Sequence, residues 1–402
     1  MKKIYETEFE CFTGYYDKDV FRNGKLLVSK VSFNDRMPSY GDEVEIGILD
    51  TLNDHYTKID TTTAWNWQQS SQLSFLDDNT IAYNIFDGDT VKLKILSIVD
   101  GTYKIFLEPS MGYSFDSRFY VSTNVEFLSY FRPSYGYQYN KALDPNGGDS
   151  VYIVDFESGE KVKILDKNDV IPFISVESGD FISFEHCMFS PNGKKLMVLV
   201  RTRGGKSNKS ILLSINIKDK KIDYNENISR VSHCCWLDDN KILGYGNRKK
   251  AVSSGAVYNM AAKVISPRLR KYIKRILGVK EYESMPFVGD EYFVWDIESS
   301  SVNVFESFVG LDDGHPFVLK SESNTIITTD TYPNPLTGDA VLTLVNLTED
   351  NDEGDVVTIS TDPTYARIGH RCDLHPKISR DFKFVIIDKV LDSKRCVEVF
   401  EL

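Results

Sequence analysis

Short apolar runs, most of them closed by an acidic or amide residue and a reversal, recur along the chain. They are Ile46–Asp50, Ile95–Asp100, Val151–Asp155, Leu213–Ile217, Tyr292–Asp296, Leu342–Asn346 and Val397–Phe400. Runs of this length, rich in β-branched and aromatic residues and bounded by turn formers, predict strands. Most lead into a turn and a further strand, as in Glu157-Ser158-Gly159-Glu160-Lys161-Val162. A second class of segment precedes each of the first: Gly14–Ser29, Ser71–Tyr83, Gly112–Ser122, His186–Val200, His233–Tyr245, His315–Thr329 and His375–Ile387. Two hairpin-forming classes that alternate seven times, with few helices, predict an all-β fold: a seven-bladed β-propeller of four-stranded blades. The whole chain, 1–402, is read as this single domain, at about 57 residues per blade. Residues 3–10 are expected to add a strand to the C-terminal blade, closing the ring and removing an exposed edge.

The repeat is interrupted at 251–289, read as a helical insertion. Within it, 266–277 has the marks of a helix: Ser266 as N-cap, Pro267 in the first turn and Gly278 as the stop. Leu269, Ile273, Ile276 and Leu277 share one face, and Arg268, Lys271, Lys274 and Arg275 cover the rest. A helix packed on the propeller with a solvated basic face explains this pattern. Contact with a partner or a membrane surface is the functional reading.

Aligning the second class of segment on its first apolar strand residue puts Asp17, Gln72, Gly112, His186, His233, His315 and His375 at one position. Four of the six histidines in the chain therefore fall at one repeat position. Innermost propeller strands run side by side around a tunnel, so these residues should ring one of its mouths. Neutral imidazole and thiolate are preferred ligands of Zn²⁺. His233, His315 and His375, with Cys372 three residues before the last, are the expected zinc ligands. His186 and His370 are neighbours. The plainer alternative is a set of imidazoles that cap turns or hydrogen-bond between blades.

Two aromatic stretches stand beside this ring. Asn124–Tyr137 joins Arg132 to Tyr135 and Tyr137. Arginine grips a carboxylate bidentately, and tyrosines stack on sugars and move protons. Ala64–Ser70 holds Trp65, Trp67, Gln68 and Gln69, a pattern that suits carbohydrate binding and equally a blade core.

The net charge of -12 argues against nucleic acid as the main partner and makes capture of a polyanion depend on a local basic pocket. No apolar stretch approaches the roughly 18 residues of a membrane span. The N-terminus has no apolar leader run, so a cytoplasmic location is expected. The six cysteines show no framework spacing and read as buried thiols, Cys372 excepted.

Together, Thr13–Lys18, Asp35-Arg36-Met37-Pro38, Ala64–Gln69, Arg132–Tyr137, Asp313-Gly314-His315-Pro316, Asp330–Pro333 and Arg371–Pro376 resemble the ulvan-lyase-like seven-bladed propellers. Oligogalacturonate lyases are more distant relatives with similar His-Pro repeats. The resemblance implies an acidic polysaccharide cut by β-elimination, with arginine or a metal neutralising the uronate carboxylate and histidine or tyrosine as acid and base. By motif position Arg132 is the neutralising arginine and Arg371 a substrate contact, while His233, His315, Cys372 and His375 are the metal cluster. The lyases carry histidines in the second blade, where this chain has Gln68, Gln69, Gln72 and Asn84. Catalysis then falls to Tyr135, Tyr137 or His186. Otherwise the chemistry is gone, leaving a non-catalytic glycan- or protein-binding propeller associated with polysaccharide assembly.

Overall fold

The apolar runs are continuous rather than alternating because the middle strands are covered on both faces. Leu196 to Val200 is one unbroken buried stretch, packed between neighbouring sheets. A computed structural model describes the whole chain except residues 145–147, 177–179, 205–207, 249–289, 323, 348–351 and 367–368. Seven antiparallel sheets of four or five strands follow one another around a ring. Every run of the first class is the third strand of a blade: Val44–Asp50, Thr90–Ser97, Ser150–Asp155, Lys209–Asn216, Asp290–Asp296, Asp339–Leu347 and Lys394–Glu401. The second class supplies the innermost and second strands.

Ring closure follows the sequence expectation. Lys2–Glu6 pairs antiparallel with Lys394–Glu401, so the last blade is completed by the start of the chain. Outer strands such as Lys161–Asp166 are largely exposed and charged, which blunts the sheet edges. The 251–289 insertion and its 266–277 helix lie outside the described residues, between the second and third strands of blade 5. Among the described residues, no helix is long and apolar enough to cross a membrane.

The 124–137 stretch contains the helix Val125–Phe131. The Asn124 side chain caps it by accepting from the Phe127 amide at 3.1 Å. The Arg132 amide donates to the Leu128 carbonyl at 2.7 Å, and the Tyr135 amide donates to the Arg132 carbonyl at 2.8 Å. The helix thus delivers Arg132 and Tyr135, one turn apart, to the mouth of the tunnel.

Candidate metal and anion site

The predicted ring position is a bend in the backbone. Gln72, His186 and His375 have φ of 60°, 50° and 44°, in the left-handed region. Strand register slips between Glu185 and Met188 and between Val231 and Cys234, across His186 and His233. A bulge inserts an extra residue and re-aims its side chain; here the imidazoles gather. Ring centroids of His233 and His315 are 4.4 Å apart, those of His315 and His375 4.3 Å, and those of His186 and His233 5.6 Å.

Carboxylates fix two of these rings, a buried one at Asp330 and a half-buried one at Asp313. His315 approaches Asp330 through its amide at 2.6 Å and through Nδ1 at 2.9 Å, and the His375 amide donates to the other Asp330 oxygen at 3.1 Å. Gly314 permits this, since a Cβ there would lie 1.6 Å from the Asp330 carbonyl oxygen. His233 Nδ1 lies 3.1 Å from Asp313 Oδ1, and Ser232 donates to the other oxygen at 2.6 Å. A carboxylate on Nδ1 keeps the proton there and leaves the Nε2 lone pair for a metal.

His315 Nε2, His375 Nε2 and Asp373 Oδ1 are buried and without hydrogen-bond partners. One ligand atom from each of these three residues falls within 4.8 Å of the others. Two imidazoles and a carboxylate suit zinc, manganese and similar divalent ions, so the donor set fits a metal. Burial pulls His375 well below the usual histidine value, and burial also lowers His233. Burial opposes protonation of His315 as well, but Asp330, Asp373 and Asp313 together hold the ring above its usual value.

Cys372, one of the expected ligands, lies outside this three-residue group. Its side chain turns away from the ring and packs on Tyr365 and Val390, and burial pushes the thiol up to about 12. Neighbouring side chains in a non-helical segment point apart, so Asp373, which shares a side with His375, stands where the thiol was expected. His233 lies beside the three-residue group, its Nε2 at 3.5 Å from the Tyr332 hydroxyl. His370 stacks outside on Tyr365.

The opposite side of the mouth is cationic. Glu185 on blade 4 is buried against Arg132, with which it forms an ion pair, and lies 3.2 Å from Arg201 Nε. Burial would raise its carboxyl, but Arg132, Arg201 and Arg203 together hold it below the usual range. Three guanidinium groups surround one carboxylate, and this crowding adds to burial in lowering Arg203. The Arg132 guanidinium stacks 3.9 Å from the centre of the Tyr135 ring. The Tyr135 hydroxyl receives Arg371 Nη2 at 3.4 Å. Tyr15 sits between the two sides. Its hydroxyl bonds His186 Nε2, and its ring lies 5.1 Å from His375 and 6.1 Å from Tyr135.

The remaining candidates serve as support. Trp65 and Trp67 are buried, not sugar platforms. Their indole N–H groups donate to the Asp42 and Arg36 carbonyls, each at 2.8 Å, and their rings pack on Phe12 and Phe33. Gln68 brackets Arg371: its amide donates to the Arg371 carbonyl at 3.2 Å and its oxygen faces Nη2 at 3.5 Å. Gln69 accepts from Gln72 at 3.0 Å. Tyr137 is also displaced from the mouth, buried with its hydroxyl on Asn84 at 2.8 Å.

Sequence reasoning missed Glu185, Arg201, Arg203, Asp330, Tyr15 and Tyr332 as parts of this site. Glu185-His186 and Asp313-Gly314-His315 carried a usable signal, an acid within two residues of a ring histidine.

No family model matches the chain, and no curated protein matches its sequence. Solved structures do. An oligogalacturonate lyase in complex with manganese aligns over 98% of this chain and 90% of its own, at 13% identity and a TM-score of 0.60. The oligogalacturonate lyase of Vibrio parahaemolyticus covers 98% and 91%, at 11% identity and a TM-score of 0.60. The propeller domain of the Trilobed protease from Pyrococcus furiosus covers 97% and 95%, at 12% identity and a TM-score of 0.50. The chain is a seven-bladed propeller whose structural neighbours include oligogalacturonate lyases.

Proposed function

We propose that this propeller acts on a uronate-containing saccharide by β-elimination at the mouth where the imidazoles and arginines face each other. One observation carries the reading: a metal-competent His315, Asp373 and His375 group stands across Tyr15 from a carboxylate outnumbered three to one by guanidinium groups. The surplus charge around Arg132, Arg201 and Arg203 matches an anion, and Arg371 offers a second contact beside the Tyr135 hydroxyl.

In the reaction the C5–H bond α to the carboxylate breaks, the C4–O bond breaks, and a C4=C5 double bond forms. The base takes the C5 proton and the acid gives one to the leaving oxygen. His186, held neutral by burial and with Nδ1 unpartnered, and Tyr135 are the assigned pair. A divalent ion, zinc or manganese, supplies Lewis-acid polarisation of the uronate carboxylate when bound.

The test is ultraviolet absorbance of the unsaturated uronate during incubation with a panel of polyuronides. A rising trace that disappears in Tyr135→Phe supports the reading, and a flat trace across the panel rejects catalysis. One observation favours a binding protein instead. Where a second-blade base is expected, Gln68 is tied to Arg371 and Gln69 to Gln72, and an amide cannot accept a C–H proton. A flat trace with saturable binding of an oligouronide would establish that alternative.

A further inference from the structure

Beyond the imidazole layer lies a chamber of about 230 Å³, bordered by all seven blades. Tyr15 and Tyr16, ring centroids 4.5 Å apart, form the partition. Both rings lie against the histidines above, Tyr15 at 5.1 Å from His375 and Tyr16 at 5.5 Å from His315, and Tyr16 also borders the chamber and anchors its hydroxyl on the Cys234 carbonyl at 2.9 Å. The wall is mostly apolar and aromatic, including Tyr113, Phe189, Trp236, Phe317 and Val318. Exposed Phe115 and Lys320 lie at its open end.

The polar members of the wall include Asp19, ion-paired with Arg380 at 2.6 Å, and the pair Asp17 and Lys18. Lys18 is 2% exposed and donates to Asp17 Oδ2 at 2.6 Å, while Asp17 Oδ1 is buried and has no hydrogen-bond partner. Gly112 packs closely here: a Cβ on it would meet the Cys187 carbonyl oxygen at 2.8 Å and stand 3.8 Å from Asp17 Oδ2. Burying a carboxylate oxygen without a donor is costly. The Lys18 ammonium has three N–H donors and shows one hydrogen bond. Acceptor and donor thus lie side by side in an aromatic chamber, and their charges cancel.

We propose that this lower chamber is a binding site for a small neutral aromatic alcohol, independent of the upper mouth. A hydroxyl can donate to Asp17 Oδ1 and accept from Lys18 Nζ, while the aromatic wall takes the rings. Size sets the class: an apolar cavity of about 150 Å³ admits benzene, so this one holds two fused rings.

The experiment titrates the full chain with 2-naphthol, followed by naphthol fluorescence, with 2-methoxynaphthalene as the matched ligand that has no hydroxyl proton. Saturable binding of one 2-naphthol per chain is expected, with the methyl ether about tenfold weaker because it cannot donate to Asp17. Val318→Trp, which fills the chamber, should abolish binding while the protein still melts cooperatively. Equal affinity for the two ligands, binding that survives Val318→Trp, or no saturable binding overturns the proposal. The ligand pair keeps the test decisive even where a variant fails to fold.

Discussion

The two sides of the upper mouth solve opposite electrostatic problems. On blades 5 to 7 the imidazoles of His233 and His315 are each backed by an aspartate, and Asp373 sits beside His375 while accepting from Arg371 Nε at 2.8 Å, so the cluster offers lone pairs and negative charge. On blades 3 and 4 three arginines crowd one glutamate, so positive charge is left over. Neither side is what stability alone would select, because buried charges are costly unless paired one to one. On the function proposed above, the contrast matches two guests of opposite sign, a cation on one side and an anion on the other, with Tyr15 between the two sides.

The largest effect should come from removing a ligand on the acceptor side. Asp373→Ala or His375→Ala should strip the bound divalent ion from purified protein. The loss should exceed the about 10- to 100-fold that an outer partner costs, and elemental analysis without added chelator reads it. Full metal content in both variants would break the comparison at its first half.

The donor side should answer next, in stability. Glu185→Gln leaves three half-buried guanidinium groups without the buried carboxylate and should cost on the order of 2 kcal/mol at neutral pH, measured by denaturant unfolding. The pH dependence has a definite sign. The Glu185 carboxyl is held below its ordinary value, so its contribution is complete above the unfolded value of about 4.3. It is lost as pH falls through the lower folded value. The gap between wild type and variant should therefore close below about pH 4. A gap that widens in acid would mean the arginines do not depend on this carboxylate.

The fold was legible because strand length, turn residues and seven-fold recurrence are local signals, and each third-strand run landed where it was expected. The ring of histidines was legible for the same reason, being a repeat position. What the sequence could not show is which way a side chain turns at a bulge. Cys372 and Asp373 are adjacent, and both are chemically fit to bind metal; only the backbone path between Arg371 and His375 chooses Asp373. The Trp65 and Trp67 pair was ambiguous for a related reason: an indole that stacks on a sugar and one that fills a blade look alike until the N–H partner is known. Arg201 and Arg203 sit on a strand that reads as ordinary blade, so their role emerges only from the neighbour, Glu185.

A smaller effect is expected from the outer partner Asp330. It holds the His315 ring by Nδ1 and the His375 backbone by its other oxygen, so it orients two ligands without being one. Asp330→Asn keeps the shape but weakens the fixed tautomer. Metal affinity should fall about 10- to 100-fold, read by competition with a chromogenic chelator. An unchanged affinity would show that Asp330 serves blade packing alone.

The smallest effect is reserved for Cys372, and it separates the two readings of the site most cleanly. If the thiol were a ligand, Cys372→Ala would remove as much metal as Asp373→Ala. In the structure the thiol lies among Tyr365 and Val390 and is held protonated by burial. Cys372→Ala should therefore leave metal content intact and cost only about 1 kcal/mol of packing, seen as a slight fall in melting temperature. Metal lost in this variant and kept in Asp373→Ala would reverse the assignment, restoring the thiolate and leaving Asp373 as the partner of Arg371, whose Nε it already accepts at 2.8 Å.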